Sequence, residues 1–460
     1  MASSRFRRDS VTAASKNGGA QAGVQHRGEK SRVQGSGVGA RRFPEPLPLH
    51  SSYHAPMEET DDLRDRIREQ LADLIAIRRD LHAHPELAYQ EKRTSEVVQR
   101  ELARAGIEFK AGLAGGTGVM AHLAGGDGSN KEYTIGLRAD MDALPLQEEN
   151  AVEYRSQNDG VMHACGHDGH TTILLGAARV LASITQSRGG LPRPVTLLFQ
   201  PAEEGGAGAE KMVADGCLDG SVLGPPIARM FALHGWPREP LGVVGTRPGS
   251  MMAAADTFDL VIRGAACHAA WPHVGRDCVV AAAAVVTALQ TISSRNVPPL
   301  ESIVVSVTRV QAGTAYNILP SEARLAGTVR TLKPQIRRLA EKRLGEIAKG
   351  VAEAHGCRAE LDFQRGYPPT VNHPEAVEIF RAVATQALGP DRVIEVEQPV
   401  MGGEDFAFYG QVVPSCFFIL GLVPEGGPAM AELHQPTFDF NDDAIATGVE
   451  MFCRLAMGDG

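Results

Sequence analysis

The chain has 460 residues, 43% of them hydrophobic, with 50 glycines and a formal net charge of −9; that length exceeds one ordinary core and predicts two folded domains of α/β class. No apolar run approaches the roughly 20 residues needed to cross a bilayer, and no basic stripe dominates the folded part, which argues against a membrane span and a nucleic-acid partner. Seven cysteines, odd in number and scattered, match a reducing compartment, the cytoplasm being the expectation, rather than a disulfide scaffold.

Residues 1–56 are rich in Arg, Ser, Gly and Gln and lack apolar periodicity, which predicts a disordered basic tail. Nine Arg and Lys against three acids give it +6, leaving −15 for the rest. No hydrophobic signal core follows Arg7-Arg8. Two readings stay open: an organellar transit segment, or a true start at Met57, directly before an amphipathic helix.

From Asp61 to about His82, Leu63, Ile67, Leu71, Leu74, Ile75 and Ile77 recur at helical spacing, and Pro85 closes the helix. A second helix is expected over Thr94–Ala105, then strands over Gly118–Ala124 and Tyr133–Arg138, a helix over Thr171–Ala182 and a strand over Val195–Gln200. Such alternation predicts an α/β sheet with helices on both faces. The pattern then changes to strand Asp256–Arg263, helix Arg276–Ser294, strands Ser302–Val310 and Ala323–Thr331, helix Pro334–Ala354 and strand Arg358–Gly366. This βαββαβ order predicts a smaller α+β domain, residues 253–367, inserted into a catalytic domain formed by 57–252 and 368–460. The larger domain resumes with helix Glu375–Leu388, strand Cys416–Leu420 and helix Asp442–Met457.

The stretch His163-Ala-Cys165-Gly-His167-Asp168-Gly-His170 holds five metal-capable side chains in eight residues. Cys165 and His167 are one residue apart, so in an extended segment both would face one metal centre. Four further segments each end a strand pattern, where α/β folds place ligand loops. They bring Asp140 and Asp142, the adjacent Glu203-Glu204, His234, and His434. Alone, such a histidine is ordinarily structural and such a glutamate pair a solvated turn. Together with Cys165 and His167 they supply five strong ligands and one spare carboxylate, about what two ions sharing a bridging ligand need. His163 and His170 are expected to brace the loop by hydrogen bonds, and His82 and His84 to be structural.

These motifs, in this order over residues 57–457, resemble the co-catalytic metal amidohydrolases that include aminoacylases, hippurate hydrolases and auxin-conjugate hydrolases (metallopeptidase family M-twenty). The resemblance implies a zinc-peptidase-like catalytic domain with a mixed sheet, interrupted by a lid and dimerisation domain. It implies that Cys165 bridges two divalent ions, with His167 and His234 on one and Glu204 and His434 on the other. Glu203 would be the general base, and Asp140 a carboxylate that fixes a ligand histidine. Zinc suits the thiolate and imidazoles, while manganese, cobalt or nickel also fit the carboxylates. His268, in Arg263-Gly-Ala-Ala-Cys-His-Ala-Ala-Trp-Pro, would stabilise the oxyanion, reaching across a homodimer as relatives commonly do. The segment departs from relatives at Ala266 and Cys267. Asn317 would make a polar contact, Arg330 would bind the substrate carboxylate, and Gly402 and Gly403 would line the pocket through backbone groups.

The implied reaction is hydrolysis of N-acyl-L-amino acids (hippurate, N-acetyl or indole-acetyl type) to carboxylate and free amino acid. Two readings stand beside it: a dipeptidase or aminobenzoyl-conjugate hydrolase of the same family, and a metal-stabilised binding protein without catalysis.

Overall fold

The computed structural model describes residues 57–458, apart from 128, 130 and 428; the basic tail expected over 1–56 lies outside the described residues. Helix α1 (Met57–Ala83) buries Leu63, Ile67, Leu74, Ile77 and Leu81 along one face. Each such side chain contributes roughly 1.5–3 kcal/mol on leaving water. The helix stops just before Pro85, whose ring restricts the residue ahead of it. Next come α2 (Lys92–Arg104), β1 (Glu108–Leu113), β2 (Gly118–Leu123), β3 (Thr134–Asp140), α3 (His167–Arg188), β4 (Val195–Gln200) and α4 (Gly208–Ala214). They are followed by β5 (Ile227–Pro240), β6 (Val244–Thr246) and β7 (Gly249–Met252). Strand β1 has no counterpart in the sequence expectations. It is an edge strand with Glu108 and Lys110 exposed, and such edges read as loop because charge blunts them.

Then come β8 (Ala254–Arg263), β9 (Cys267–His268), α5 (Cys278–Leu289), β10 (Ile303–Ala312), β11 (Ile318–Leu319), β12 (Glu322–Thr331), α6 (Pro334–Ala354) and β13 (Arg358–Tyr367). The chain ends with β14 (Thr370–Asn372), α7 (Pro374–Leu388), β15 (Val393–Glu395), α8 (Ala407–Gly410), β16 (Ser415–Val423) and α9 (Ala444–Met457).

Eight strands form one mixed sheet in the order β1-β2-β4-β3-β5-β16-β6-β15, with β4, β3, β5 and β16 parallel at its centre. Every residue of β3 and β4 is buried, as expected of parallel strands covered on both faces. Alternate residues feed two cores. Leu197, Phe199, Phe231 and Leu233 face α1, α3 and α9, whereas Leu198, Met230 and Ala232 face the side of α4 and α8.

A separate antiparallel sheet, β10-β12-β8-β13, carries α5 and α6 over a core of its own that includes Phe258, Leu260, Val285, Leu325 and Leu344. Helix α5 is shorter than its apolar run suggested. Asp277 caps it by accepting from Val279 N at 2.9 Å and Val280 N at 3.2 Å, and after Leu289 the chain passes into a single π-helical turn over Ile292–Asn296. The two sheets are joined where β7 runs into β8 and β13 runs back into β14. These crossings are neighbours, with Tyr367 opposite Ala255 and Thr370 opposite Met252.

Candidate metal centre and its cavity

The carboxyl ends of the central strands converge on one point. Asp140 ends β3, Glu203 and Glu204 follow β4, and α3 begins against them at His167. The local geometry differs from the extended segment expected for Cys165 and His167. Gly166 is left-handed at φ 88° and starts α3 at His167, four residues before the expected Thr171. A sharp turn rather than strand alternation brings the two side chains together. His234 is not at a strand end either, but lies within β5. His434 sits in the loop after β16 at φ 63°, a left-handed conformation that costs a non-glycine residue of order 1–3 kcal/mol and persists where the surroundings fix it. The fixing bond is His434 N to Ala164 O, 2.8 Å, which ties that loop to the Cys165 segment.

Two ligand groups share one sulfur. Cys165, His167 and His234 present ligand atoms within 4.8 Å of one another, and so do Cys165, Glu204 and His434. The Cys165 Sγ lies 3.3 Å from the Nε2 of both His234 and His434, and His434 Nε2 lies 3.1 Å from Glu204 Oε1. The backbone sets two tautomers. His167 Nδ1 donates to Asp142 O and His234 Nδ1 to Gly235 O, both at 2.8 Å. With Nδ1–H so engaged, Nε2 is the atom each ring would offer as a ligand in its neutral form.

His170 is placed differently. Its Nδ1 donates to Asp140 Oδ1 at 2.7 Å while its Nε2 accepts from Gly235 N at 2.8 Å, so neither nitrogen is free for a metal. It braces the loop, as expected of it. Asp140 thus hydrogen-bonds His170, while its other oxygen accepts from Arg138 Nη1 at 2.7 Å and lies 3.7 Å from His167 Nε2. His163 departs from expectation: it is buried, yet neither ring nitrogen has a hydrogen-bond partner among the described residues. Burial, helped by the positive charges of His82, His167 and Arg78, holds its imidazole down to about 3 against the pull of Asp168.

The electrostatics fit a pair of cations. Asp140, Asp142, Glu203, Glu404 and Asp405 are all buried and Glu204 nearly so, with Arg138 as the cation that pairs with Asp140, Glu404 and Asp405. Burial, then the charges of Glu204, Glu203 and Asp140, push the Cys165 thiol well up. Burial, then Glu404 and Glu204, push the Glu203 carboxyl well above its usual range. Among the described residues His167 Nε2 is buried without a hydrogen-bond partner, and Glu204 Oε1 faces only the ring of His434. Unpartnered ligand atoms in a field of excess negative charge are what divalent ions would satisfy.

The glutamate loop is held on several sides. Asp142, whose role the sequence reading left open, accepts from Glu203 N and Glu204 N, both at 2.9 Å. Glu91 accepts from Ala202 N at 2.9 Å, and the Tyr89 hydroxyl donates to Gly206 O. Ala202, Gly205 and Ala207 all have positive φ, so the loop stores strain that these bonds maintain.

A cavity of about 760 Å³ opens on this centre, lined by Cys165, Glu203, Glu204, His234 and His434 and by Arg330, Gly402 and Gly403. No carboxylate among the described residues pairs with Arg330, whereas Arg365, the other cation on the wall, is bonded to Glu341 at 2.9 Å. His268 and Asn317 are not part of it. They lie side by side on the exposed β9–β11 pair, where Ala269 N donates to Asn317 O at 2.9 Å.

Comparison with known proteins gives a consistent picture. Residues 136–458 match the model of peptidase family M20/M25/M40. An N-acetylcysteine deacetylase of Bacillus subtilis is 37% identical over 384 residues, 84% of this chain and 96% of that protein. The IAA-amino acid hydrolase ILR1-like 4 of Arabidopsis thaliana is 37% identical over 387 residues, 83% of this chain and 84% of that protein. The crystal structure of the Bacillus subtilis YXEP protein, a dinuclear metal-binding peptidase, superposes with a TM-score of 0.73 at 35% identity, covering 85% of this chain and 98% of that one.

Proposed function

The chain belongs to peptidase family M20/M25/M40, and on that premise we propose how its residues divide the work of hydrolysing N-acyl-L-amino acids. It is a metal-dependent amidohydrolase that takes two divalent ions and acts on a small amide substrate. The assignment of ligands rests on one observation: Cys165 Sγ is common to two ligand groups, whereas Glu203, although its carboxylate lies within 4.8 Å of His167 and Glu204, belongs to neither of the groups built on that sulfur. Cys165 would bridge, with His167 and His234 on one side and Glu204 and His434 on the other. Thiolate and imidazole favour zinc.

When bound, the ions acidify a water and polarise the amide carbonyl. Glu203 would take the proton of the attacking water and return it to the leaving amine. Its companion Glu204 cannot serve as base, since its charge is committed to a cation. Arg330, which lines the same cavity, receives the substrate carboxylate as a planar fork.

The four-stranded segment, residues 253–367, acts as lid and dimer interface. Its edge strand β10 pairs on one side only, with β12, and exposes Val304 and Val310, while α5 exposes Val279 and Val280. An open edge beside exposed valines calls for a cover, and a second copy supplies one. His268 and Asn317, absent from the cavity of their own chain, would complete the partner's site. All seven cysteines are free, in keeping with a reducing compartment.

Glu203→Ala tests the reading. It keeps two ions per chain and loses activity by orders of magnitude on N-acyl amino acids; undiminished hydrolysis would overturn it and revive the view of a metal-stabilised binding protein. Profiling against dipeptides and aminobenzoyl conjugates separates the remaining members of the class.

A further inference from the structure

We infer that Tyr367 is a positioning residue which sets the aim of Glu203 and makes that aim depend on how the four-stranded segment is seated. The inference rests on the reading of Glu203 as general base.

The Tyr367 hydroxyl donates to the carbonyl of Glu203 and accepts from Ala207 N at 3.3 Å, so one phenol ties both ends of the strained glutamate loop. Glu91, Asp142 and Tyr89 bond this loop from the large-sheet side, and Asp405 N, also outside the four-stranded sheet, donates to Glu203 Oε1 at 3.2 Å. Tyr367 is the last residue of β13 and belongs to the other sheet.

Its direction is built in. Between Gln364 and Tyr367 the pairing with β8 gains one residue, a bulge, and bulges re-aim the side chain that follows. Gly366 makes the bulge possible, since a Cβ there would fall 2.1 Å from Ala255 O. Asp256 and Arg337 pin it: Gly366 N donates to Asp256 Oδ1 at 3.1 Å, Arg337 Nη2 donates to Gly366 O at 2.9 Å, and Arg337 Nε lies 2.9 Å from Asp256 Oδ2. The ring meets Phe408 edge-on, centroids 6.1 Å apart. A rotation of the lid sheet about its crossings therefore carries the phenol with it and releases the Glu203 carbonyl. Closure brings Arg330 and the base into register in one movement, because Arg330 and the phenol that holds the base's loop hang on the same sheet.

Tyr367→Phe keeps the ring and removes the two bonds. Expected is a roughly ten- to hundredfold fall in kcat, the scale of a misplaced catalytic group, with KM within about twofold and two ions still bound per chain. The acid limb of the kcat–pH profile moves as well, because the base is no longer held in one setting. Tyr89→Phe, which removes a bond to the same loop from the large-sheet side, leaves that limb in place. Wild-type kcat, a change in KM alone, loss of metal, or a lower melting temperature with an unmoved pH profile would each overturn the inference. Glu203→Ala run alongside keeps the failures apart: if that variant is active, the base assignment is wrong; if it is dead while Tyr367→Phe behaves as wild type, only the positioning role is lost.

Discussion

Replacing Asp142 by Asn removes a charge that touches no substrate and yet disables the centre. Its two carboxylate oxygens each accept one backbone N–H, from Glu203 and from Glu204, at 2.9 Å in a buried setting. An asparagine offers one oxygen, so one N–H loses its acceptor and faces an amide NH2 instead. A buried donor left unsatisfied costs about 1–3 kcal/mol, and the surviving bond loses its charge assistance, so about 2–4 kcal/mol of stability should be lost. At about 2–4 °C per kcal/mol for a large domain, the melting temperature falls by roughly 4–16 °C. The loop carries a proposed ligand and the proposed base, so metal affinity should drop about 10- to 100-fold as for other groups that orient ligands. Calorimetric titration of the apoprotein with zinc, beside a thermal melt, measures both. A variant with wild-type metal affinity and an unchanged melt would refute the reasoning.

Three further outcomes are expected. Arg330→Gln should raise KM for N-acyl amino acids by roughly 10- to 100-fold, the worth of a charge-assisted pair of hydrogen bonds. The same variant should leave the corresponding carboxamides, poor substrates of the wild type, unaffected; equal effects on both would place the carboxylate elsewhere. Mixed dimers of His268→Ala and Glu203→Ala chains should regain activity that neither homodimer has, one intact site per pair; persistent silence at confirmed heterodimer formation counts against action across the interface. Buried His82 is pulled down by desolvation, but its hydrogen bonds to Asp168 at 2.8 Å and Glu148 at 3.1 Å outweigh this and raise it to about 9. A raised histidine stabilises fully below its unfolded value near 6.5 and loses that contribution as pH climbs through about 9. The difference in unfolding free energy between wild type and His82→Gln should shrink over that window, and a flat difference would refute it.

What the sequence made legible was chemistry carried by neighbours. Cys165 and His167, or Glu203 and Glu204, announce themselves because the ligand types are adjacent, and the helices declare themselves through periodicity. Hydrogen bonds between distant residues leave no such trace. Asp142 and Glu203 are 61 positions apart, and Tyr367 and Glu203 are 164 apart; no local pattern links them until β3 and β4 pair in one sheet and β13 meets their loop from the other. Short elements were equally silent. The left-handed turn at Gly166 recasts the Cys165 region from extended to helix-initiating, and one glycine in a sequence with 50 carries little weight. His163 shows the converse error: its place among ligands suggested bonding that its buried ring does not make.

The pairing of Tyr367 with Ala255 and of Thr370 with Met252 puts the entry and exit of the four-stranded segment one strand spacing apart. A segment whose two ends meet at one place behaves as a cassette. It can be excised and replaced by the equivalent piece of a relative with two cuts, and the proposed ion-binding groups, all outside it, stay with the recipient. Arg330 and Tyr367 travel with the graft. Chimeras made at these two points would therefore sort the molecule's duties by origin, with metal content following the recipient and substrate choice following the donor.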